Sequence, residues 1–332
     1  MLSTFQAEAD PEYAKVVSRG VVDAVKHAWE KRSPCKVGSG AGKVAGIHFN
    51  RRFLMRDGRE VTHPGKMHPE IVRPAGPVDP KVGVLAVADA EGKVMGVVVN
   101  FGCHCTVTEE GTEYSADYVH YLREHLRRLL GDMAVVFLQG ACGDVTQIDN
   151  QSRGWEKGHS WADMMGATLA GETARVVNRV QWEGEPVIRV AGERVSIGIR
   201  EGDGCEKPRL GLGSGEFWEE MYEKEKPHVA RMRQETPVVD CEICGIRTGE
   251  LAMVSNGGEL FCAPSLEIQE SSGFHKTWVV TLANEYLGYI PTAKAFYAGG
   301  YEVRTARSSF LDVTAAQRIV EGSLRVLKKL AL

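Results

Sequence analysis

Residues 97–145 read VVVNFGCHCTVTEEGTEYSADYVHYLREHLRRLLGDMAVVFLQGACGDV, and this run confines the chain more tightly than any other stretch. An apolar strand ends at Asn100. Val119, Leu122, Leu126 and Leu129 then recur at helical spacing, with Ser115-Ala116-Asp117 as the opening cap and Gly131 as the stop. A second apolar strand over 134–138 breaks into Gln139-Gly140-Ala141-Cys142-Gly143-Asp144-Val145-Thr146. Strand, helix and strand in that order require an architecture of sheets and helices together. They are also expected to bring both strand ends to one rim, with His104 between Cys103 and Cys105 on one and a glycine-rich loop on the other. Such rims commonly carry active sites.

The rest of the chain extends this pattern. Residues 11–31 form an amphipathic helix, with Tyr13, Val16, Val17, Val21, Val25, Ala28 and Trp29 on one side. Residues 36–75, with GSGAG near their start, read as irregular and turn-rich. Residues 82–88 and 93–100 alternate around Asp89-Ala90-Glu91-Gly92 and predict a hairpin. Residues 160–179 and 313–330 are helical, and 278–282 form a strand. Residues 186–199 and 238–255 are strand-rich, separated by a polar insertion at about 201–234 whose EFWEEMYEKEKPHVARMR portion reads as an exposed helix. No repeat or linker divides the chain. The expectation is one large α/β domain over 1–332, built of mixed β-sheet layers flanked by helices.

A formal net charge of -4 with no long basic run gives no reason to expect a nucleic-acid partner. No apolar run approaches the roughly 18 residues of a transmembrane segment. The start, MLSTFQAEADPEYAK, has neither a basic region nor an apolar one, so the chain as written is expected in the cytoplasm; a true start further upstream would allow an exported parent. Cys241-x-x-Cys244 lacks a second pair at zinc-ribbon spacing and falls in a strand that turns at Thr248-Gly249. It reads as small apolar filler in a hairpin.

Three separated side chains point to chemistry. His104 stands at a strand end. Glu259 lies in the glycine-opened turn Gly257-Gly258-Glu259-Leu260-Phe261, and Tyr289 lies in Leu287-Gly288-Tyr289-Ile290-Pro291-Thr292. An imidazole, a carboxylate and a phenolate together suit a zinc ion with a position left for water. Spacing alone favours a surface glutamate and a core tyrosine. The loop over 139–146 offers backbone N–H groups to an oxyanion and delivers Asp144 and Thr146 beside them. It has no Gly-Lys-Ser/Thr ending and no Gly-x-Ser-x-Gly, and taken alone it is an ordinary tight turn. Asp117 is adequately explained as a helix cap.

Eight segments occur here in an order that resembles the neutral/alkaline non-lysosomal ceramidase family, most narrowly its shorter bacterial members. They are GIHFNRR, AGPVDPKVGVL, VNFGCHCTV, YSADY, FLQGACGDV, GGELF, LGYIPT and AGGYEV. The resemblance implies a Zn2+-dependent hydrolase acting on a small-molecule amide or N-acyl lipid, with His104, Glu259 and Tyr289 as metal ligands. Gly143-Asp144-Val145-Thr146 matches the family's Gly-Asp-x-Ser loop, which places Thr146 at the position of its serine. With Asp144 and Asp117, Thr146 makes the implied catalytic set, and Gly140, Gly143 and Tyr301 are placed beside the substrate. The family's opening Thr-His-x-His-x-Gly-Pro motif has no counterpart, and none of His27, His48, His63 and His68 lies in a matching context. An upstream start or a complementary N-terminal chain would supply the fourth ligand. The alternative is a non-catalytic remnant of the fold that binds a ligand or such a chain.

Overall fold

The structure is a computed structural model that describes residues 10–108, 114–203, 208 and 210–332. Along the chain run α1 (Pro11–Glu30), β1 (Lys36–Lys43), β2 (Phe49–Asn50), β3 (Arg52–Met55), β4 (Glu60–Thr62), β5 (Ile71–Pro74), β6 (Lys81–Ala88), β7 (Val94–Phe101) and α2 (Tyr118–Leu130). There follow β8 (Ala134–Gln139), β9 (Val145–Thr146), α3 (Gly158–Val177), β10 (Ile188–Gly198), α4 (Glu216–Glu235), β11 (Val238–Thr248) and β12 (Leu251–Ser255). The chain closes with β13 (Glu259–Leu260), α5 (Cys262–Ser271), β14 (Lys276–Val280), β15 (Tyr289–Ile290), α6 (Ala293–Ala298) and α7 (Ala315–Ala331). The fold is mixed α/β, with several sheets flanked by helices, as the strand and helix patterns predict.

Two four-stranded sheets carry most of the core. The first has the order β1-β6-β7-β8. β6 and β7 form the antiparallel hairpin expected from their alternation, from Gly83↔Asn100 to Ala88↔Val94. β8 returns parallel to β7 after α2. Val82, Val84, Val97 and Val99 of this sheet meet Leu122 and Leu126 of α2 and Met165 and Leu169 of α3 in one apolar cluster. The second sheet has the order β10-β11-β12-β14, and its β12 and β14 are also parallel. Val195, Ile197, Ile243 and Val254 pack there against Ile319, Val326 and Leu327 of α7.

The two sheets meet end to end at their parallel pairs. Thr281, just past β14, donates its N–H to the Gln139 carbonyl at 2.8 Å and its hydroxyl to the Gly140 carbonyl at 2.8 Å. Trp278 fills the space that a Cβ at Gly83 would occupy. Crevices at the carboxyl ends of parallel strands are where such sheets bind ligands. This junction positions the site.

Three departures from the sequence reading have physical causes. Residues 36–75 are not simply irregular: β1 is an eight-residue strand paired along its length with β6. Its composition misleads because glycine disfavours strands in general, whereas here Gly38, Gly40 and Gly42 leave room for Val180, Val176 and Glu172 around α3. The insertion is more than an exposed helix. α4 buries Tyr222, Glu225 and Val229, and Glu225 pairs with Arg307 at 2.7 Å. Residues 204–207 and 209 of that insertion lie outside the described residues.

The third departure is α1. Asp10 caps it, accepting from the N–H groups of Glu12 and Tyr13, and Pro11 suits its first turn. Its apolar stripe is as predicted, yet none of its 20 residues is buried. Val16, Val21 and Trp29 are 67%, 59% and 66% exposed. The two cysteines of the CxxC lie on β11 as free thiols, Cys241 buried and Cys244 half-buried. Among the described residues no helix is long and apolar enough to cross a membrane.

Candidate functional site

His104 follows β7 after two tightly fitted residues. A Cβ on Gly102 would stand 2.7 Å from the Ala141 carbonyl oxygen, so only glycine lets the two strand-end loops approach this closely. The His104 N–H donates to the Val145 carbonyl at 3.2 Å, which fastens the imidazole loop to the glycine-rich loop. Glu259 and Tyr289 come from the second half of the molecule and are direct register partners in the parallel pair β13–β15. Glu259 donates its N–H to the Gly288 carbonyl at 2.8 Å, and Gly143 donates to Leu260 at 3.0 Å. Backbone pairing therefore ties all three segments together.

The side chains converge. Nε2 of His104 lies 3.3 Å from Oε2 of Glu259, and the His104 ring stands edge-on to Tyr289 with centroids 6.4 Å apart. His104, Glu259 and Tyr289 are all buried. Tyr301 adds a second phenol ring, 5.6 Å from that of Tyr289. Trp218 of α4 packs edge-on to Tyr301 at 5.6 Å, so the insertion walls the site with an aromatic ring.

Electrostatics favour neutral forms at the centre. Burial, reinforced by the Arg51 guanidinium, holds the His104 imidazole well below the usual histidine range. Burial raises the Glu259 carboxyl, opposed by Arg51 and by hydrogen bonds from Tyr286 and Tyr289. Tyr289 is also pushed well up by burial, with Arg51 acting in the opposite sense. Arg51 donates from Nε to Glu302 at 2.9 Å and from Nη2 to the Gly143 carbonyl at 2.8 Å. Its charge is thus matched by Glu302 beneath the site.

The other predicted residues each have hydrogen-bond partners of their own. Asp144 accepts from Asn50 Nδ2 at 2.7 Å and from the Cys262 N–H at 2.7 Å, and burial pushes it up to about 6. Thr146 donates its hydroxyl to Gln147 Oε1 at 2.9 Å. Asp117 caps α2 at the Tyr118 N–H and takes both the N–H and hydroxyl of Thr108. The amides of Gly140 and Gly143 donate to Phe101 and Leu260, which leaves neither free for an oxyanion. Both glycines instead permit close backbone contact: a Cβ at Gly143 would meet the Glu259 carbonyl oxygen at 2.2 Å.

Sequence reasoning assigned no site role to Arg51 or Tyr286, and it set His63 aside for want of a matching context. His63 holds a left-handed φ of 46° and hydrogen-bonds through Nδ1 to Asn150 Oδ1 at 2.9 Å. Burial and Arg51 bring it down to about 4, and its presence in turn adds to the lowering at His104. A positive φ in histidine is uncommon and concentrates at functional sites, but no local motif announces it. The signal that could have found Arg51 is the pair Arg51-Arg52 in an otherwise apolar and turn-forming context.

Among the described residues no three His, Cys, Asp or Glu side chains gather closely enough to hold a metal ion. The third candidate donor is the Tyr289 phenol. The donor set of ring nitrogen, carboxylate and phenol oxygen fits zinc chemically. The local structure agrees in one respect: Nε2 of His104 is buried without a hydrogen-bond partner, a costly condition that a cation would relieve.

No protein-family model and no curated protein sequence matches the chain. Solved structures do. Neutral ceramidase from Pseudomonas aeruginosa superposes with a TM-score of 0.66 at 16% identity, over 94% of this chain and 55% of that one. The fold is ceramidase-like. A ceramidase complexed with C2 gives a TM-score of 0.65 at 16% identity, over 92% of this chain and again 55% of its own. The chain thus spans about half the length of these ceramidase structures, and nearly all of it takes part in the likeness.

Proposed function

We propose that this chain carries the catalytic centre of a zinc-dependent amide hydrolase that acts on a ceramide-like N-acyl lipid or a related amide. The observation that supports it is the meeting of His104, Glu259 and Tyr289, with an unpartnered imidazole nitrogen among them, in a ceramidase-like fold. Those three side chains would hold the metal. Zinc, when bound, would supply a water of lowered pKa and polarise the scissile carbonyl.

The protein's own groups do the rest in this reading. His104 stays neutral and offers Nε2. Arg51, anchored by Glu302, fixes the Tyr289 ring from 5.3 Å. The Thr146 hydroxyl turns from Gln147 to the developing oxyanion, and Tyr301 and Trp218 line the approach for an apolar substrate. A complementary N-terminal chain is a further part of the proposal, and the bare apolar face of α1 is the surface we assign to it. The same face favours one second reading, a non-catalytic form that awaits such a chain.

Metal analysis of purified protein tests the proposal. Stoichiometric zinc that is lost in Glu259→Ala, with fatty-acid release from an N-acyl sphingosine, is the expected result. No zinc and no release from a panel of N-acyl amides refutes it in favour of the non-catalytic reading.

A further inference from the structure

Glu259 has a neighbour at each carboxylate oxygen, but only one of these two contacts is a hydrogen bond. Oε2 faces His104 at 3.3 Å, while Oε1 accepts a 3.0 Å hydrogen bond from the Tyr286 hydroxyl. Tyr286 belongs to none of the eight motifs. The residue is 53% exposed, against 3% for both Tyr289 and Tyr301. An exposed phenol ordinarily has water as its partner. This one reaches inward to a buried carboxylate.

The backbone holds it there. The turn before β15 contains two left-handed residues, Leu282 and Asn284, with φ of 55° and 69°. That turn is laced to the glycine turn carrying Glu259: Ala283 donates to Asn256 at 3.0 Å, and Leu287 donates to Gly257 at 2.8 Å. The Glu285 side chain fills the space a Cβ at Gly257 would need. Tyr286 and Glu259 therefore ride on two turns joined as one unit, and left-handed strain at non-glycine residues is kept where such placement is required.

We propose that Tyr286 is a positioning residue whose phenol holds Oε1 of Glu259 and so aims Oε2 at His104 and at the cation of the proposed reaction. The part concerning the cation rests on the functional reading above. A ligating carboxylate without an outer partner can rotate or bind through the wrong oxygen, and removing such partners lowers metal affinity by roughly 10- to 100-fold.

Tyr286→Phe deletes only the hydroxyl and keeps the half-exposed residue in place, so the metal-free protein should stay folded with a melting temperature no more than a few degrees lower. Zinc affinity is read by competition with a chromophoric chelator, and cobalt substitution reports ligand geometry through its visible spectrum. The expected result is a loss of zinc affinity of roughly 10- to 100-fold with an altered cobalt band. Wild-type affinity and an unchanged cobalt spectrum in the variant overturn the proposal. Should the wild-type chain itself take up no zinc, the functional reading fails separately, and the ring-nitrogen resonances of His104 in metal-free protein decide for Tyr286. A shift in the variant supports the positioning role, and unmoved resonances overturn it.

Discussion

Replacing Glu302 with glutamine removes the carboxylate that Arg51 and Arg52 share. Glu302 is fully buried; Oε1 accepts from Arg51 at 2.9 Å, and Oε2 accepts from Arg52 at 2.6 Å and from the Thr62 hydroxyl at 2.7 Å. Burial alone would raise its pKa, but the two guanidiniums overcome that and hold it at about 2 against an ordinary 4.5. The difference corresponds to about 3 kcal/mol of net interaction with the ionised form. Glutamine would lose that interaction and set an amide N–H against a guanidinium. A loss of roughly 3–5 kcal/mol at pH 7 is therefore expected in urea denaturation.

The sign of the pH dependence is fixed. A carboxyl whose folded pKa is depressed contributes stability above its unfolded pKa and loses it as pH falls through the folded one. The gap between wild type and Glu302→Gln should be full above about pH 4.5 and shrink steadily towards pH 2. A loss below about 1 kcal/mol at pH 7, or a gap that does not narrow between about pH 5 and 3, refutes the reasoning.

Asp144 should show the opposite linkage. Burial holds it at about 6, so its contribution is present below about pH 4 and is lost as pH rises through 6. Asp144→Asn should flatten that part of the stability profile, and identical slopes in the two proteins would count against it. Changing Val16, Val21 and Val25 of α1 together to glutamine should leave the melting temperature within about 2 °C, because none of them is buried. A fall of about 5 °C or more would mean that α1 has a packing partner within the chain.

Local pattern was enough where each element answers to its own neighbours. α2 begins at Tyr118 and ends at Leu130, where the cap and Gly131 put its limits. The β6–β7 hairpin turns where Asp89 and Gly92 predict, with the Lys93 N–H donating to Asp89 Oδ1 at 2.8 Å. Pattern fails where a residue's meaning depends on distant chain. The glycines of β1 make sense only with α3 against them. The stripe on α1 records a capacity to bury surface and not the presence of something to bury it against. The meeting of His104, Glu259 and Tyr289 at the candidate site was partly legible because each sits at a turn with its own glycines. The Arg51-Arg52 pair was the only local hint of the ion pair with Glu302, which lies most of the chain away, and nothing local marks Tyr286, whose partner Glu259 sits on another turn.

Glu259 and Tyr289 face each other because two very short strands run in the same direction and stay in step. Slippage by a single residue would set Leu260 beside Tyr289 and swing the acid to the opposite side. Loops in this neighbourhood can change length only where the rungs remain matched. For anyone altering the proposed site, the Gly257-Gly258 corner is thus the place to leave untouched, and the outer insertion around Trp218 is the place to begin.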